Sequence, residues 1–301
     1  MMTPTSRTQR TRRAPLDFGA ILVAPIGIAA VVLAQRMAGV PASTLVQYSA
    51  ALIVFGGTLG ALLITYSPRE VLRAARATAG AFRTVRSDLD SLAATLITLA
   101  ARAHRHGLLA IDTDSESVAE PFLREGIAFA IDEASPETLR EVLTSEAAAQ
   151  AAVEESPARV LEAAAGYAPT LGILGAVLGL IHVMRGLGGT SGLGSGIAVA
   201  FVATVYGVGT ANLILLPLAG RLRERAALAA QRRELMMVGI CAIQERAHPR
   251  VVARKLRSFG VKPELERVTL RAPAAAGDLG PGLMPLPLGA ATVPARDQAL
   301  A

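Results

Sequence analysis

The sequence predicts an all-α integral membrane protein with four transmembrane helices and a helical cytoplasmic domain. The 301-residue chain is 52% hydrophobic and has a mean hydropathy of +0.44, which is too apolar for an ordinary soluble domain. Four stretches, at residues 18–35, 45–66, 167–184 and 197–219, contain no Asp, Glu, Lys or Arg. Each is about long enough to cross a ~30 Å hydrocarbon layer as a helix. Arginine-rich segments lie beside them, which indicates spans joined to a soluble part.

The third and fourth spans organise the chain. The connection between them, residues 186–196, is short and rich in Gly and Ser, so we expect an antiparallel helical hairpin. Small residues four positions apart let helix backbones approach closely in a bilayer. This spacing occurs at Gly56 and Gly60, Gly175 and Gly179, and Gly207 and Ala211.

Two prolines flank the hairpin. Pro169 falls in the expected first turn of span three, where its missing N–H would lack a partner anyway. Pro217 falls near the end of span four, where we expect it to kink the helix or free a carbonyl group.

Residues 1–15 are polar and basic and precede the first span. A signal peptide has the same order of segments. A second span follows almost at once, however, and no clear small-x-small cleavage site separates the two, so we interpret residues 18–35 as a membrane span.

Residues 67–165 form a soluble insertion. Apolar residues from Phe82 to Leu99 recur at steps of three and four, which predicts one long helix continuing from span two and ending at Gly107. The acidic stretch that follows favours either a solvated face or a docking surface for a basic partner. We expect short helices at 121–133 and 136–151, the second beginning with an N-cap at Ser135.

After span four we expect a helix to about Glu245 and a shorter one near 249–259. The Ala- and Pro-rich end, low in charge, is expected to be disordered. The predicted organisation is a basic tail (1–16), spans one and two (17–66), the cytoplasmic insertion (67–165), spans three and four (166–220), C-terminal cytoplasmic helices (221–271) and a disordered tail (272–301).

Arginine distribution predicts the orientation. The N-terminus, the insertion and the segment after span four are Arg-rich near the membrane, whereas the two short connections carry one arginine each, Arg36 and Arg185. Because positive residues are retained in the cytoplasm, both termini and the insertion are expected there.

Several classes of function are excluded or disfavoured. The single Cys241 rules out internal disulfides, and the four histidines lack a metal-binding spacing. The Gly-rich connection has no Lys and follows a span, so it is not a phosphate loop. The arginines do not form one stripe with aromatic residues, which argues against nucleic acid despite the net charge of +6. We predict no enzyme activity and no cofactor.

The spans also lack a carboxylate. An ion pathway through lipid needs an ionisable or strongly coordinating group at depth. If the protein conducts ions, a partner must therefore supply the carboxylate. If it does not, the small-residue faces still indicate association with other helices.

Five segments together resemble the MotA/PomA flagellar stator subunits, over residues 17–260. They are IVFGGTLGA, PFLREGIAFAIDEASPETLREVL, GYAPTLGILGAVLGLI, GIAVAFVATVYGVGTANLILLPLAGRL and IQERAHPRVVARKLRSF. The resemblance implies a subunit of an inner-membrane ion channel, with five copies around a MotB-type partner that brings the membrane aspartate. Ion flow through it is thought to turn the ring against the rotor protein FliG.

The resemblance also implies site residues. The family's functional prolines fall on Pro169 and Pro217, and its channel threonine on Thr204. The second pore threonine of sodium-type relatives corresponds to Ala176, which favours the proton. The rotor contact is implied around Arg102, His104, Arg105 and Asp112, although the family has arginine at the position of His104.

Two alternatives differ in class. ExbB/TolQ-type energy-transducing channel subunits share the final two-helix unit but typically have three spans, with a large insertion after the first. The four spans and the GGTLGA element argue against them. A purely structural membrane scaffold is the other alternative.

Overall fold

A computed structural model of the chain describes residues 26–27, 29–30, 32–34, 36–37, 39, 45–82, 89–112, 118–132, 135–185 and 193–261. Every regular element in this part of the chain is helical, which confirms the all-α prediction. The first predicted span lies largely outside the described residues, as do the connection 186–192 and the tail from 262. Three described helices are long and apolar enough to cross a membrane.

Helix α1, Tyr48–Thr65, contains a π-helical segment at Leu52–Gly56 and corresponds to span two. It ends at Thr65, and the backbone of the next residue, Tyr66, is extended. Ser67 then caps helix α2, Pro68–Gly80: its hydroxyl accepts a hydrogen bond from the Glu70 N–H, and its own N–H donates to Glu70 Oε2 at 2.9 Å. The predicted continuation of span two into a long helix is therefore wrong. Pro68 disfavours helical backbone at the preceding residue, and this capping box starts a new helix.

The predicted long helix is also interrupted at its middle, because α2 ends at Gly80 and α3 spans Leu89–His106. Arg225 donates a hydrogen bond to the Gly80 carbonyl, which would otherwise lack an intrahelical partner. The predicted end at Gly107 is confirmed: Gly107 has φ +87°, and its N–H donates to the Ala103 carbonyl at 3.0 Å. A short 3₁₀ turn, Leu108–Ile111, follows.

Helix α4, Pro121–Asp132, matches the first predicted short helix. The second does not stop near residue 151, because α5 runs without interruption from Pro136 to Arg185. Its start is as predicted, with the Ser135 hydroxyl accepting from the Thr138 N–H at 3.4 Å. Alanine-rich sequence favours helix throughout the joining region. Consequently Pro169 lies inside a helix, and its predicted position in a first turn is wrong.

Helix α6, Leu193–Thr210, continues through a π-helical segment, Ala211–Leu215, into α7, Leu216–Gln244. The widened turns lie directly before Pro217, where the sequence predicts a disturbed helix. Helix α8, Pro249–Arg257, completes the described elements and confirms the predicted short C-terminal helix.

The long helices α5 and α7 pack along each other, and α3 and α4 pack on α7. Leucine side chains of α3 fill this core: a Cβ on Gly239 of α7 would lie 2.7 Å from Leu96 Cδ1. Likewise a Cβ on Gly126 of α4 would lie 2.6 Å from Ile240 Cδ1. Two glycines thus set how closely α4 and α7 meet the side chains of the core.

Candidate functional site

Helices α5 and α6 cross with their backbones in contact. A Cβ on Gly172 would lie 2.9 Å from the Ala203 carbonyl oxygen, and one on Gly179 would lie 2.8 Å from the Ala200 backbone nitrogen. These distances are shorter than real Cβ contacts, so only glycine permits the packing. The crossing is built as small-residue helix pairs in membranes are built.

The structure brings Pro169 and Thr204 to this crossing. A Cβ on Gly207 would lie 3.1 Å from Pro169 Cα, and one on Gly172 would lie 3.4 Å from Thr204 Cα. Thr204 is half-buried and its hydroxyl donates to the Ala200 carbonyl at 3.3 Å, one turn earlier in α6. The threonine is therefore satisfied within its own helix, and its oxygen keeps capacity to accept a further hydrogen bond.

Ala176 lies two turns from Pro169 on the same face of α5 and is half-buried. Pro217 is elsewhere: it is exposed and lies ~15 Å along the helix from Gly207. Of the four residues predicted for ion passage and coupling, three are thus associated with the α5–α6 crossing and one with the start of α7.

The predicted glycine pairs differ in their surroundings. Gly175, like Gly179, faces α6, and a Cβ there would lie 2.7 Å from Ala203 Cβ. A Cβ on Gly60 has open space, and one on Gly56 would meet only Leu52 of its own helix. Gly57 instead lies at the contact of α1 with α5, because a Cβ there would lie 3.0 Å from Leu171 Cδ2. The packing role of Gly56 and Gly60 stays a prediction, and it would require contact with another chain.

Tyr206 is a residue that sequence reasoning did not single out. Its hydroxyl donates to the Leu45 carbonyl and accepts from the Gln47 N–H at 3.4 Å, and its ring stacks on Phe55 with centroids 5.8 Å apart. These contacts fasten α6 to the beginning of α1. The sequence did contain a sign of this contact, because the hydroxyl group of a tyrosine in an apolar span requires a hydrogen-bond partner.

The predicted rotor contact lies at the C-terminal end of α3. Arg102, His104, Arg105 and, after the 3₁₀ turn, Asp112 are all exposed. Arg105 Nε donates to the Ala101 carbonyl of its own helix at 3.2 Å.

His104 has an additional, structural contact. Its Nδ1 lies 2.8 Å from the Arg246 carbonyl oxygen, and its ring meets that of His248 edge-on at 5.3 Å. Arg246 has φ +50°, a conformation uncommon for a residue other than glycine. His104 therefore holds the end of α3 against the α7–α8 loop.

Ion pairs fasten α7 to its neighbours. The Arg233 guanidinium, only 7% exposed, pairs with Glu154 of α5, and Arg232 pairs with Glu120 before α4 at 2.8 Å. Arg223 pairs with Glu162 of α5 at 2.6 Å. These contacts hold α5 and the residues before α4 to α7, outside the apolar part of the hairpin.

Two groups outside the apolar spans have shifted acidities. Burial raises the pKa of the Cys241 thiol, so it stays protonated near neutral pH. Hydrogen bonds from the Ser67 side chain and backbone lower the pKa of Glu70. Within the described residues no group of three His, Cys, Asp or Glu side chains is placed to hold a metal ion.

The sequence profile of the MotA/TolQ/ExbB proton channel family matches residues 114–235, which include the crossing. Motility protein A of Bacillus subtilis is 32% identical over 222 residues, covering 73% of this chain and 82% of the relative. The chain belongs to the MotA/TolQ/ExbB proton channel family.

Other relatives and structures agree with the motility branch of this family. Chemotaxis protein PomA of Vibrio alginolyticus is 26% identical and covers 81% of this chain and 95% of the relative. The solved flagellar MotAB stator complex of Bacillus subtilis contains a chain that aligns with a TM-score of 0.71 at 30% identity, covering 84% of this chain and 97% of that one. The present chain is thus a MotA-like, multi-pass membrane protein.

Proposed function

We propose that this protein is the channel subunit of a flagellar motor stator, which couples inward proton flow to rotor torque together with a MotB-type partner. The observation that carries the proposal is the glycine-mediated α5–α6 crossing, which includes both Thr204 and Pro169 in a member of a proton channel family. The relatives named motility protein A and the MotAB complex support the flagellar branch.

A partner completes the ion path. The four predicted spans contain no Asp or Glu, so the titrating group comes from a MotB-type subunit with a membrane aspartate. Thr204 supplies one hydroxyl beside the path, and Ala176 supplies none. Sodium must exchange its water shell for oxygen ligands, whereas a proton needs a titrating carboxylate and a hydrogen-bonded route. The loss of one hydroxyl therefore favours the proton.

The proposed topology has four spans in the bacterial inner membrane, with both termini and residues 67–165 in the cytoplasm. The arginine asymmetry supports this orientation. Several copies, five by resemblance, form a ring around the partner. Gly56 and Gly60 present a small-residue surface that suits contact with a neighbouring copy or with the partner.

The end of α3 is proposed to contact FliG. Exposed cations and Asp112 lie together there, as surfaces that meet an oppositely charged partner do. The packing of α3 on α7 and the His104–Arg246 hydrogen bond supply a route by which a rearrangement of the hairpin reaches this end.

Deletion of the gene, scored separately for flagellar assembly and for swimming, tests the function. A stator subunit gives assembled but paralysed flagella, restored by the wild-type gene. Swimming must then persist in sodium-free medium and stop when the proton gradient is collapsed. Normal swimming of the deletion strain, combined with a defect in energised outer-membrane transport, would favour the ExbB/TolQ-type function.

A further inference from the structure

Two histidines meet where the end of α3 touches the start of α8. His104 Nδ1 lies 2.8 Å from the Arg246 carbonyl oxygen, and the rings of His104 and His248 meet edge-on with centroids 5.3 Å apart. His248 is also the N-cap of α8, because its Nδ1 lies 3.2 Å from the backbone nitrogen of Arg250. We call His104 and His248 the histidine pair.

The hydrogen-bond partners decide which ring nitrogen carries a hydrogen. A carbonyl oxygen can only accept, so His104 Nδ1 must carry one, as it does in one neutral tautomer and in the imidazolium. A backbone N–H can only donate, so His248 Nδ1 must be bare, and an imidazolium has no bare nitrogen. A proton taken up by His104 therefore keeps its hydrogen bond and makes it charge-assisted. A proton taken up by His248 abolishes the cap.

The charges around the pair reinforce this difference. The N-terminus of a helix carries a partial positive charge, so α8 would repel an imidazolium at its own N-cap. The end of α3 and the 3₁₀ turn contribute Arg102, Arg105, His106 and Asp112. The end of α7, the loop and α8 contribute Glu245, Arg246, Arg250, Arg254, Lys255 and Arg257. Most of these groups are cations, and Glu245 already pairs with Lys255 at 3.2 Å, so the surroundings add to the repulsion.

The pair lies where three helices meet. α8 packs on both α3 and α7, and the buried side chains of Val252, Ala253 and Leu256 form its inward face. α7 continues span four through the π-helical segment. A change in the first turn of α8 therefore acts at the far end of the helix that continues span four.

We propose that His248 is an acid-sensitive cap, which holds the first turn of α8 when neutral and releases it on taking up a proton, while His104 ties α3 to the loop in both states. Imidazole is the side chain that ordinarily changes charge between about pH 5 and 8. The His248 hydrogen bond stabilises α8 only while the ring is neutral, so its contribution is lost as the pH falls. The His104 hydrogen bond is retained, because its donor nitrogen keeps a hydrogen in both forms.

The release itself is a property of the folded chain, and only its compartment rests on the proposed function. In the proposed topology the histidine pair faces the cytoplasm, which receives the protons that the channel conducts. Acidification of that compartment would loosen α8 where it meets α3 and α7.

Hydrogen exchange tests the proposal in the full chain, purified with its MotB-type partner. Exchange is followed in peptides covering residues 246–257 and 100–107 at about pH 7.5 and about pH 5.5, which lie on either side of the ordinary imidazole transition. After correction for the intrinsic effect of pH, exchange at the start of α8 should be about fivefold faster at the lower pH, as expected for loss of one N-cap hydrogen bond. Exchange at the end of α3 should change little.

Three variants separate titration from capping alone. His248→Asn keeps a side-chain oxygen that caps a helix well and does not titrate, so it should be protected at both pH values. His248→Ala lacks an acceptor and should exchange fast at both. His106→Asn removes an exposed imidazole from the end of α3 and should keep the acid response of the wild type.

An acid response that persists in His248→Asn would overturn the proposal, and so would equal exchange of the wild type at both pH values. Faster exchange in acid at the end of α3 alone would assign the response to His104 and would also overturn it. None of these results touches the stator function. Failure of that function is seen separately, as normal swimming of the deletion strain.

Discussion

The imidazole Nδ1 of His104 lies 2.8 Å from the carbonyl oxygen of Arg246, so the end of α3 is hydrogen-bonded to the α7–α8 loop. The two residues are 142 positions apart in the sequence, and no local pattern announces the contact. His104, which the sequence predicts to take part in a rotor contact, thus has a structural contact within its own chain.

His104→Ala should lower the stability of the purified stator complex. Removing one hydrogen bond costs about 1 kcal/mol, which corresponds to a fall of about 2–4 °C in a thermal scan. His106→Ala is the control, because His106 is exposed in the same turn of the helix. Equal melting temperatures for the two variants would show that the His104 contact contributes nothing.

Arg102 and Arg105 should carry the attraction to FliG at this end of α3. Their combined reversal to Glu should weaken recruitment of the stator to the motor without lowering its amount in the membrane. Exposed charges mainly steer encounter and are screened by salt, so each single reversal should be mild. A compensating charge reversal on FliG should restore recruitment, and unchanged occupancy and swimming in the double variant would place the contact elsewhere.

Glycine at the α5–α6 crossing should be indispensable, whereas glycine on the open face of α1 should be replaceable within the chain. A Cβ on Gly207 would lie 2.5 Å from the Ala168 carbonyl oxygen, so Gly207→Ala must separate the helices at a cost of about 1–3 kcal/mol. Gly60→Ala meets nothing within 4 Å. Thermal stability and proton conduction of the two purified complexes should therefore diverge.

Equal behaviour of the two glycine variants would contradict the crossing as the critical contact. Loss of ring assembly in Gly60→Ala alone would instead show that the open face of α1 meets a neighbouring subunit.

The sequence predicted the apolar hairpin well, because the length of a stretch without charged residues and the spacing of its glycines are both local patterns. It failed at Ser67, where one helix was predicted to continue from span two into the periodic stretch that begins at Phe82, although the capping box with Glu70 starts a new helix. The prediction for Pro169 was also wrong. A proline in a sequence usually indicates a helix start, and the sequence does not show the packing that accommodates Pro169 inside α5. The His104–Arg246 and Tyr206–Leu45 contacts depend on the folded path of the chain.

The Arg233–Glu154 pair should respond unequally to removal of its two partners. Arg233 is buried and its Nη1 lacks a hydrogen-bond partner within the described part of the chain, whereas the side chain of Glu154 is 41% exposed. Glu154→Gln leaves a buried cation without its counter-charge and should cost about 2–3 kcal/mol. Arg233→Met fills a similar volume without charge and leaves Glu154 in contact with water, so it should be close to neutral.

Thermal scans of the Glu154→Gln, Arg233→Met and double variants measure this asymmetry. The double variant should recover most of the stability lost in Glu154→Gln. A larger loss in Arg233→Met than in Glu154→Gln would refute the explanation.

Pro169 and Pro217 should set the helix geometry that couples ion passage to movement. Pro169 lies against Gly207 at the crossing, and Pro217 follows the π-helical segment Ala211–Leu215, so each adjoins a departure from regular helix packing. Leucine restores the missing N–H and favours regular helix, which removes the local feature without removing bulk. Pro169→Leu and Pro217→Leu should therefore insert, assemble with the partner and localise to motors, yet give no torque.

A bead-rotation assay on tethered flagella measures torque directly, and a fluorescent tag measures occupancy in the same cells. Leu216→Ala is the matched control, because Leu216 is exposed and adjoins Pro217, and its replacement leaves both prolines in place. This control variant should rotate normally. If the prolines only interrupt the helical hydrogen bonding and have no part in coupling, the leucine variants will swim as the wild type does. Rotation at normal speed in either one would refute a coupling role for that proline.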